Sequence, residues 1–133
     1  MLFRSQTMQV IDTRVLSASS SPLGLVTVVE SPRVPFRHAP GLAINTRHTV
    51  PEQLAVFTDG DGMSAITRFD GDLDTVAYMG DVATALPYAL LDTPHVLILG
   101  AGTGADVLMA MYHGAEKIDA VELNPQEIGR AHV

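Results

Sequence analysis

The spacing of apolar and polar residues divides the chain into a strand-rich first part and a second part with helical patterning. In the first part, the clearest strand is predicted over residues 23–30, which are rich in β-branched side chains and lie between Pro22 and Pro32. Three further short strands are predicted over residues 55–58, 65–69 and 75–79. Asp-Gly pairs separate them and supply the positive φ angles that tight turns need, so the first part predicts a β-meander.

The segments around these strands have other patterns. Residues 17–22 are mostly serine and end in proline, which is typical of a turn or a flexible linker, and a weak alternation before them is consistent with one earlier strand. Between residues 31 and 53, four prolines remove backbone donors and fix φ, which favours an irregular segment. Residues 81–91 have helical spacing, with Pro87 as a kink or restart.

The second part predicts a strand, a glycine-rich loop, a helix and a second strand in succession. Residues 96–99 are continuously apolar, as in a parallel strand that is buried on both faces. The loop follows at residues 100–104, and the helix, which ends at a glycine, at residues 106–114. The second strand is predicted over residues 117–122. This order predicts a βαβ unit.

The glycine-rich loop has the features that a nucleotide cofactor requires. The start of a helix presents unpaired N–H groups and a partial positive charge, and glycines before it let a ligand approach the backbone. Glu122 ends the next strand 22 positions after Gly100, close to the spacing of about 20 at which an acid binds ribose hydroxyls. The candidate cofactor-binding residues are Gly100, Ala101, Gly102, Thr103, Gly104, Asp106 and Glu122.

The residues of this loop leave the type of cofactor open. Gly100, Gly102 and Ala105 also satisfy the relaxed G-x-G-x-x-G/A pattern of dinucleotide-binding proteins. An NAD-binding Rossmann protein is therefore one alternative.

Five segments together match the pattern of a known family. They are SPLG leading into VTVVE (residues 21–30), VFTDGDG (56–62), LPY (86–88), VLILGAGTGADVL (96–108) and DAVELNP (119–125). In these segments the chain resembles the spermidine synthase family of polyamine aminopropyltransferases, especially the bacterial spermidine-synthase-like proteins. The resemblance implies a β-rich N-terminal domain and a Rossmann-like transferase domain, with S-adenosylmethionine or decarboxylated S-adenosylmethionine as cofactor. It also implies a small-molecule acceptor such as a polyamine.

Two positions differ from that family. The aminopropyltransferases have an acid inside the glycine loop, at the place of Thr103, and a Tyr-His-Glu stretch where this chain has Met79, Gly80 and Asp81. The sequence GAGTG is similar to the loop of S-adenosylmethionine-dependent methyltransferases. Methyl transfer is therefore the second alternative, beside aminopropyl transfer.

The predicted fold class is α/β, with a β-rich module followed by the start of a Rossmann-like domain. We expect the β-rich module over residues 1–80, an incomplete first βαβ unit over residues 81–127, and a possible non-native tail over residues 128–133, where the resembled family would continue an apolar helix. The resemblance places the catalytic acid after a later strand, so the catalytic residue is unknown. We expect a full-length parent to be the enzyme and this chain to be inactive, or to be a binding module that keeps a degenerate Rossmann remnant.

Composition excludes several other classes of function. With 47% apolar and 17% charged residues, the chain is expected to bury a core. A net charge of −7 without a cluster of Lys or Arg argues against nucleic-acid binding. The absence of cysteine excludes disulfides and a cysteine nucleophile, and mildly favours a cytoplasmic location. The five histidines are scattered, so no metal site is predicted.

The partners predicted from the sequence are few. No segment approaches the roughly 18 apolar residues of a membrane span, so membrane association is expected only through further parts of a parent protein. Two parallel strands expose apolar faces that other elements normally cover, so self-association into a homo-oligomer is expected.

Overall fold

The computed structural model describes residues 10–128. Of the predicted tail over residues 128–133, only Ile128 is therefore described, and it is the last residue of a short helix. The described range contains six strands, two α-helices and two 3₁₀ helices.

Four strands form an antiparallel sheet in the order of the sequence. They are β1 (Arg14–Ser21), β2 (Gly24–Glu30), β3 (Gln53–Thr58) and β4 (Gly62–Thr67). The last three confirm the strands predicted near these positions, and the segment between β2 and β3 is irregular, as its prolines predict. Consecutive side chains of a strand point to opposite faces, and Val28 and Val29 are both buried, so both faces of β2 are covered.

The serine-rich segment belongs to β1, so the prediction of a linker over residues 17–22 is wrong. Ser17, Ser19 and Ser20 pair in antiparallel register with residues of β2. Small polar side chains suit an edge strand because they face water while their backbone groups complete the ladder. The turn between the two strands is confined to residues 22–23.

Residues Leu73–Asp81 form a 3₁₀ helix, so the strand predicted over residues 75–79 is wrong. The Asp72 carboxylate accepts a hydrogen bond from the backbone N–H of Asp74 at 3.0 Å, which satisfies an unpaired donor at the start of the helix. This local cap favours helix in a segment whose composition alone favours strand. Only three strands of the predicted meander are therefore present beside β1.

A second 3₁₀ helix spans Ala83–Leu90 and contains Pro87. The helical character predicted for residues 81–91 is confirmed, but the turns are 3₁₀ and not α. Proline removes a backbone donor, so a short and tight helix with few internal hydrogen bonds tolerates it better than a long α-helix does.

The second part of the chain is a parallel βαβ arrangement, as predicted. It consists of β5 (His95–Leu99), α1 (Ala105–Tyr112), β6 (Lys117–Val121) and α2 (Pro125–Ile128). The two strands are parallel and in register from the His95–Lys117 pair to the Leu99–Val121 pair. The described chain is thus a mixed α/β structure, with a four-stranded antiparallel sheet and a two-stranded parallel sheet.

The parallel sheet is covered on one face, whereas the apolar run predicts burial on both faces. Ile98 is buried, but Leu97, Leu99 and Val121 are 64%, 76% and 54% exposed. Leu97 and Leu99 alternate with Ile98 and therefore lie on the opposite face. Helix α1 contacts both strands, and the face that carries Leu97 and Leu99 is exposed in the described part of the chain.

One hydrophobic cluster connects the two parts of the chain. Its buried members are Val50, Val76, Tyr78, Met79, Val82, Ala85 and Met109. Val76 and Met79 belong to the first 3₁₀ helix, which is kinked at Val76, and both join this cluster with Met109 of α1. The cluster includes residues on both sides of the predicted boundary between residues 80 and 81, and it places the β-rich part beside the start of α1.

Candidate functional site

The loop between β5 and α1 has backbone geometry that glycine adopts more readily than any other residue. Gly100, Gly102 and Gly104 have φ angles of 78°, 50° and 86°. The backbone N–H groups of Gly100 and Ala101 both donate to the carbonyl oxygen of Val121, at 2.8 and 3.1 Å. The loop is therefore hydrogen-bonded to the end of β6, and the left-handed conformation of the three positions explains why glycine occupies them.

Glu122 holds this loop directly. Its carboxylate accepts the backbone N–H of Gly102 at 2.8 Å with one oxygen and that of Asn124 at 2.7 Å with the other. These bonds to Asn124 and Gly102 hold the pKa of Glu122 below its ordinary value, because they stabilise the charged form. The structure thus brings together the glycine loop and the acid that the sequence predicts, and gives Glu122 a loop-positioning contact.

The remaining predicted residues lie at the start of α1. Gly104 is the left-handed residue that precedes the helix, and Asp106 is exposed in its first turn. Burial raises the pKa of Tyr88, and the negative charge of Asp106 raises it further. Thr103 is half-buried between the loop glycines.

Thr103 and Asp106 also line a cavity of about 240 Å³. At about 30 Å³ per water molecule, this volume corresponds to about eight waters, enough for a small substrate. The opposite wall comes from the antiparallel sheet and the first 3₁₀ helix, through residues that include Gln53, Thr67 and Tyr78. The cavity therefore lies between the two parts of the chain and adjoins the glycine loop.

A chain of hydrogen bonds orders the polar groups of this wall. The Gln53 side-chain amide donates to the Thr67 hydroxyl at 3.1 Å, and that hydroxyl lies 3.3 Å from the Tyr78 hydroxyl. Sequence analysis does not single out these residues, because they lie on different elements and Tyr78 falls in a segment predicted as a strand. No local sequence signal identifies such a wall.

A second carboxylate approaches the loop and is also absent from the sequence predictions. A Cβ atom at Gly102 would be 3.4 Å from Oε2 of Glu127, in the first turn of α2. Glu127 and Glu122 thus flank the same glycine. The sequence gives little indication of this contact, because no known motif places a Glu five residues after the predicted ribose-binding acid.

Asp81, which stands where the resembled family has its Tyr-His-Glu stretch, is already engaged elsewhere. Its carboxylate accepts a hydrogen bond from the Thr46 hydroxyl at 2.5 Å and lies 3.0 Å from Nδ1 of His48. The Thr46 bond, followed by that of His48, lowers the pKa of Asp81. Asp81 thus connects the segment before β3 to the first 3₁₀ helix through hydrogen bonds. It does not line the cavity.

A larger depression of about 700 Å³ lies at the end of the antiparallel sheet. Two exposed ion pairs flank it, Arg14 with Glu30 and Arg68 with Glu52. No residue of the glycine loop lines it. The smaller cavity beside the glycine loop is the better candidate.

Comparison of the chain with protein-family models, curated proteins and solved structures finds no match. In the described range, no three His, Asp or Glu side chains are grouped so that they could hold a metal ion. Nor does that range contain a helix of the length and apolar character needed to span a membrane. The glycine loop with its two carboxylates and the adjoining cavity are the features from which a function can be inferred.

Proposed function

We propose that this chain binds S-adenosylmethionine or its decarboxylated form as the cofactor part of a Rossmann-like transferase that resembles the polyamine aminopropyltransferases. The observation that carries the proposal is the contact between Glu122 and the backbone N–H of Gly102. It joins the acid at the end of β6 to the glycine loop at the start of α1. In a βαβ unit that binds a nucleotide cofactor, an acid at this place accepts hydrogen bonds from the ribose.

The residues of the loop fit such a cofactor. A Cβ at Gly100 would meet no atom within 4 Å, so the space in front of this residue is open to a ligand. A carboxylate offers about four acceptor positions. The backbone N–H groups of Gly102 and Asn124 take two of those on Glu122, and the N–H of Leu123 interacts with the same carboxylate. The remaining acceptor capacity would serve a ribose hydroxyl, while Gly100 leaves room for the cofactor against the backbone.

The charge of the site favours an S-adenosyl cofactor over NAD. Glu122 and Glu127 flank Gly102, and Asp106 lies in the first turn of α1. In residues 10–128, none of these three carboxylates forms an ion pair with Lys, Arg or His. Such surroundings repel the pyrophosphate of NAD and attract a sulfonium and an ammonium.

The acceptor would occupy the cavity beside the loop. When bound, the cofactor supplies an electrophilic carbon next to its sulfonium. Asp106 is the one carboxylate among the described residues of the cavity wall, and it would hold a cationic amine, while Tyr78 and Gln53 would orient it. We assign to none of the described residues the removal of the acceptor's proton.

Methyl transfer is the second candidate, and Thr103 favours it. The acid that aminopropyltransferases have inside the loop is replaced by a half-buried threonine. The same loop, Glu122 and cavity would serve either reaction, because only the attacked carbon differs. The acceptor and the group transferred distinguish the two candidates.

We expect S-adenosylmethionine or its decarboxylated form to bind at least about tenfold more tightly than NAD, a difference of about 1.4 kcal/mol. Isothermal titration of the 133-residue chain with each of the three ligands measures this order. Tighter binding of NAD, or binding of none of the three, would remove the proposed function.

A further inference from the structure

The depression of about 700 Å³ at the end of the antiparallel sheet has a floor that crosses all four strands. Arg14 of β1 is the register partner of Glu30 of β2. Leu54 of β3 is likewise the partner of Ile66 of β4, and the β2–β3 register, extended by one residue, sets Glu30 opposite Leu54. Residues directly opposite each other share a face of a sheet, so these four side chains lie on one face. The floor therefore has a charged half and an apolar half.

A second ion pair lies on the other side of the depression, just before β3 and just after β4. The Arg68 guanidinium donates to Oε2 of Glu52 at 3.0 Å. Glu52 precedes Leu54 by two residues and therefore lies on the same face of the sheet. Strands are about 4.8 Å apart and rise about 3.4 Å per residue, so the Cα atoms of Arg14 and Glu52, two strands across and two residues along, are about 12 Å apart.

The charged groups of the depression have unused hydrogen-bonding capacity. Nη1 of Arg14 is 3.8 Å from Oε1 of Glu30, which is too far for a hydrogen bond. Arg68 binds only Oε2 of Glu52, and no other side chain in the described part of the chain donates to Oε1. With two arginines and two glutamates, the depression is neutral in a chain of net charge −7. A dianion or a dication would meet two repelling groups, whereas a zwitterion finds a partner for each of its charges.

We propose that the depression binds a short apolar peptide with free ends, its α-carboxylate on Arg14 and its α-ammonium on Glu52. An extended peptide spans about 3.3–3.6 Å per residue, so three or four residues bridge these two side chains. Arg14 receives the carboxylate because, unlike Arg68, it donates no hydrogen bond to a glutamate. The apolar side chains of the peptide contact Leu54 and Ile66. This site is independent of the proposed function, because no residue proposed to hold the cofactor lines the depression.

Titration of the ¹⁵N-labelled chain with the tetrapeptide alanyl-leucyl-leucyl-alanine, followed by NMR, tests this site. We expect saturable shifts of the amides of Leu54 and Ile66, with a dissociation constant of about 1 mM for a small ligand on an open surface. Amidation of the C-terminus and acetylation of the N-terminus should each weaken binding about three- to fivefold, the effect of one exposed ion pair. The dipeptide leucyl-leucine is too short to reach both groups and should bind at least about threefold more weakly.

Two variants assign the ends of the peptide. Arg14→Gln should bind the free and the amidated peptide equally but should remain sensitive to acetylation. Glu52→Gln should bind the free and the acetylated peptide equally but should remain sensitive to amidation. The controls Arg47→Gln and Glu116→Gln make the same changes of charge outside the depression, so both should retain both sensitivities. An amide spectrum like that of wild type shows that a variant is folded.

Three results would overturn the proposal. One is equal binding of the free, amidated and acetylated peptides by wild type. Another is the absence of a saturable shift at Leu54 and Ile66 with about 10 mM peptide, ten times the expected dissociation constant. The third is an exchange of the two patterns, in which Arg14→Gln is insensitive to acetylation and Glu52→Gln to amidation. Each of them leaves the proposed function in place, because the proposed cofactor site shares no residue with the depression.

Discussion

Replacement of Glu122 by alanine should weaken the binding of S-adenosyl cofactors by about ten- to a hundredfold, with Glu122→Gln between alanine and wild type. Hydrogen bonds to a charged group contribute about 1.5–3 kcal/mol, which corresponds to this range of affinity. Alanine removes the acceptor of the Gly102 and Asn124 N–H groups, and glutamine keeps only one oxygen and places an NH₂ group toward a donor. Isothermal titration of wild type and both variants measures the order.

The matched control is Glu116→Gln, which makes the same change of charge just before β6, at the opposite end of the strand. Glu116 pairs with His95 at 3.2 Å and is exposed, so its loss should leave cofactor affinity unchanged. Equal binding by wild type, Glu122→Gln and Glu122→Ala would show that Glu122 does not hold the cofactor. A loss of affinity in Glu116→Gln as large as in Glu122→Gln would show a general effect of charge.

The lowered pKa of Glu122 also sets the pH at which its hydrogen bonds, and with them its contribution to cofactor affinity, are lost. Because the folded state lowers the pKa below the ordinary value of 4.5, the hydrogen bonds are fully present above that value. They are lost as the pH falls through the lowered pKa. Cofactor affinity that falls between pH 7 and pH 5 in wild type, but not in Glu122→Gln, would contradict this assignment.

The uncovered face of the parallel sheet should make the chain self-associate at micromolar concentration. Leu99 and Val121 are register partners and lie together on that face, both more than half exposed. Burial of one such side chain stabilises a contact by about 1.5–3 kcal/mol, so the double variant Leu99→Thr, Val121→Thr should weaken association at least about tenfold. Threonine retains β-propensity, so the strands themselves should persist. Sedimentation velocity over a range of concentrations measures the effect.

Val15→Thr serves as the control for this prediction. Val15 is 58% exposed on β1, so the variant loses a similar apolar surface on the antiparallel sheet. We expect it to associate as wild type does. A wild-type chain that remains monomeric at the highest concentration, or equal weakening by Val15→Thr, would show that the parallel sheet is not the interface.

The local order of the second part could be predicted from the sequence because each element has its own strong signal. The apolar run of β5, the three glycines, the helix and Glu122 follow in the order and spacing that the structure shows. Pattern alone could not predict which faces are covered. The same apolar run includes the buried Ile98 and the exposed Leu97 and Leu99, since burial depends on what packs against the sheet.

The errors in the first part have local physical causes. The Asp72 cap favours a 3₁₀ helix in a segment with β-branched residues. The serine-rich segment is a strand because it pairs with β2. The cavity wall and the position of Glu127 depend on contacts between distant elements, such as that of Gln126 with Ser20, 106 residues apart. Single-sequence periodicity carries no information on contacts of that separation, so these parts of the candidate site could be found only in the structure.

The most direct test of the central claim is an NMR titration of the ¹⁵N-labelled chain with decarboxylated S-adenosylmethionine, S-adenosylmethionine and NAD. We expect saturable shifts of the backbone amides of Gly100, Gly102 and Gly104, with the amide of Gly102 affected strongly because its N–H is bonded to Glu122. NAD should cause much smaller changes at the same ligand concentration. Glycine-loop amides that respond to NAD and not to either S-adenosyl ligand, or that respond to none of the three, would contradict the assignment of this loop as the cofactor site.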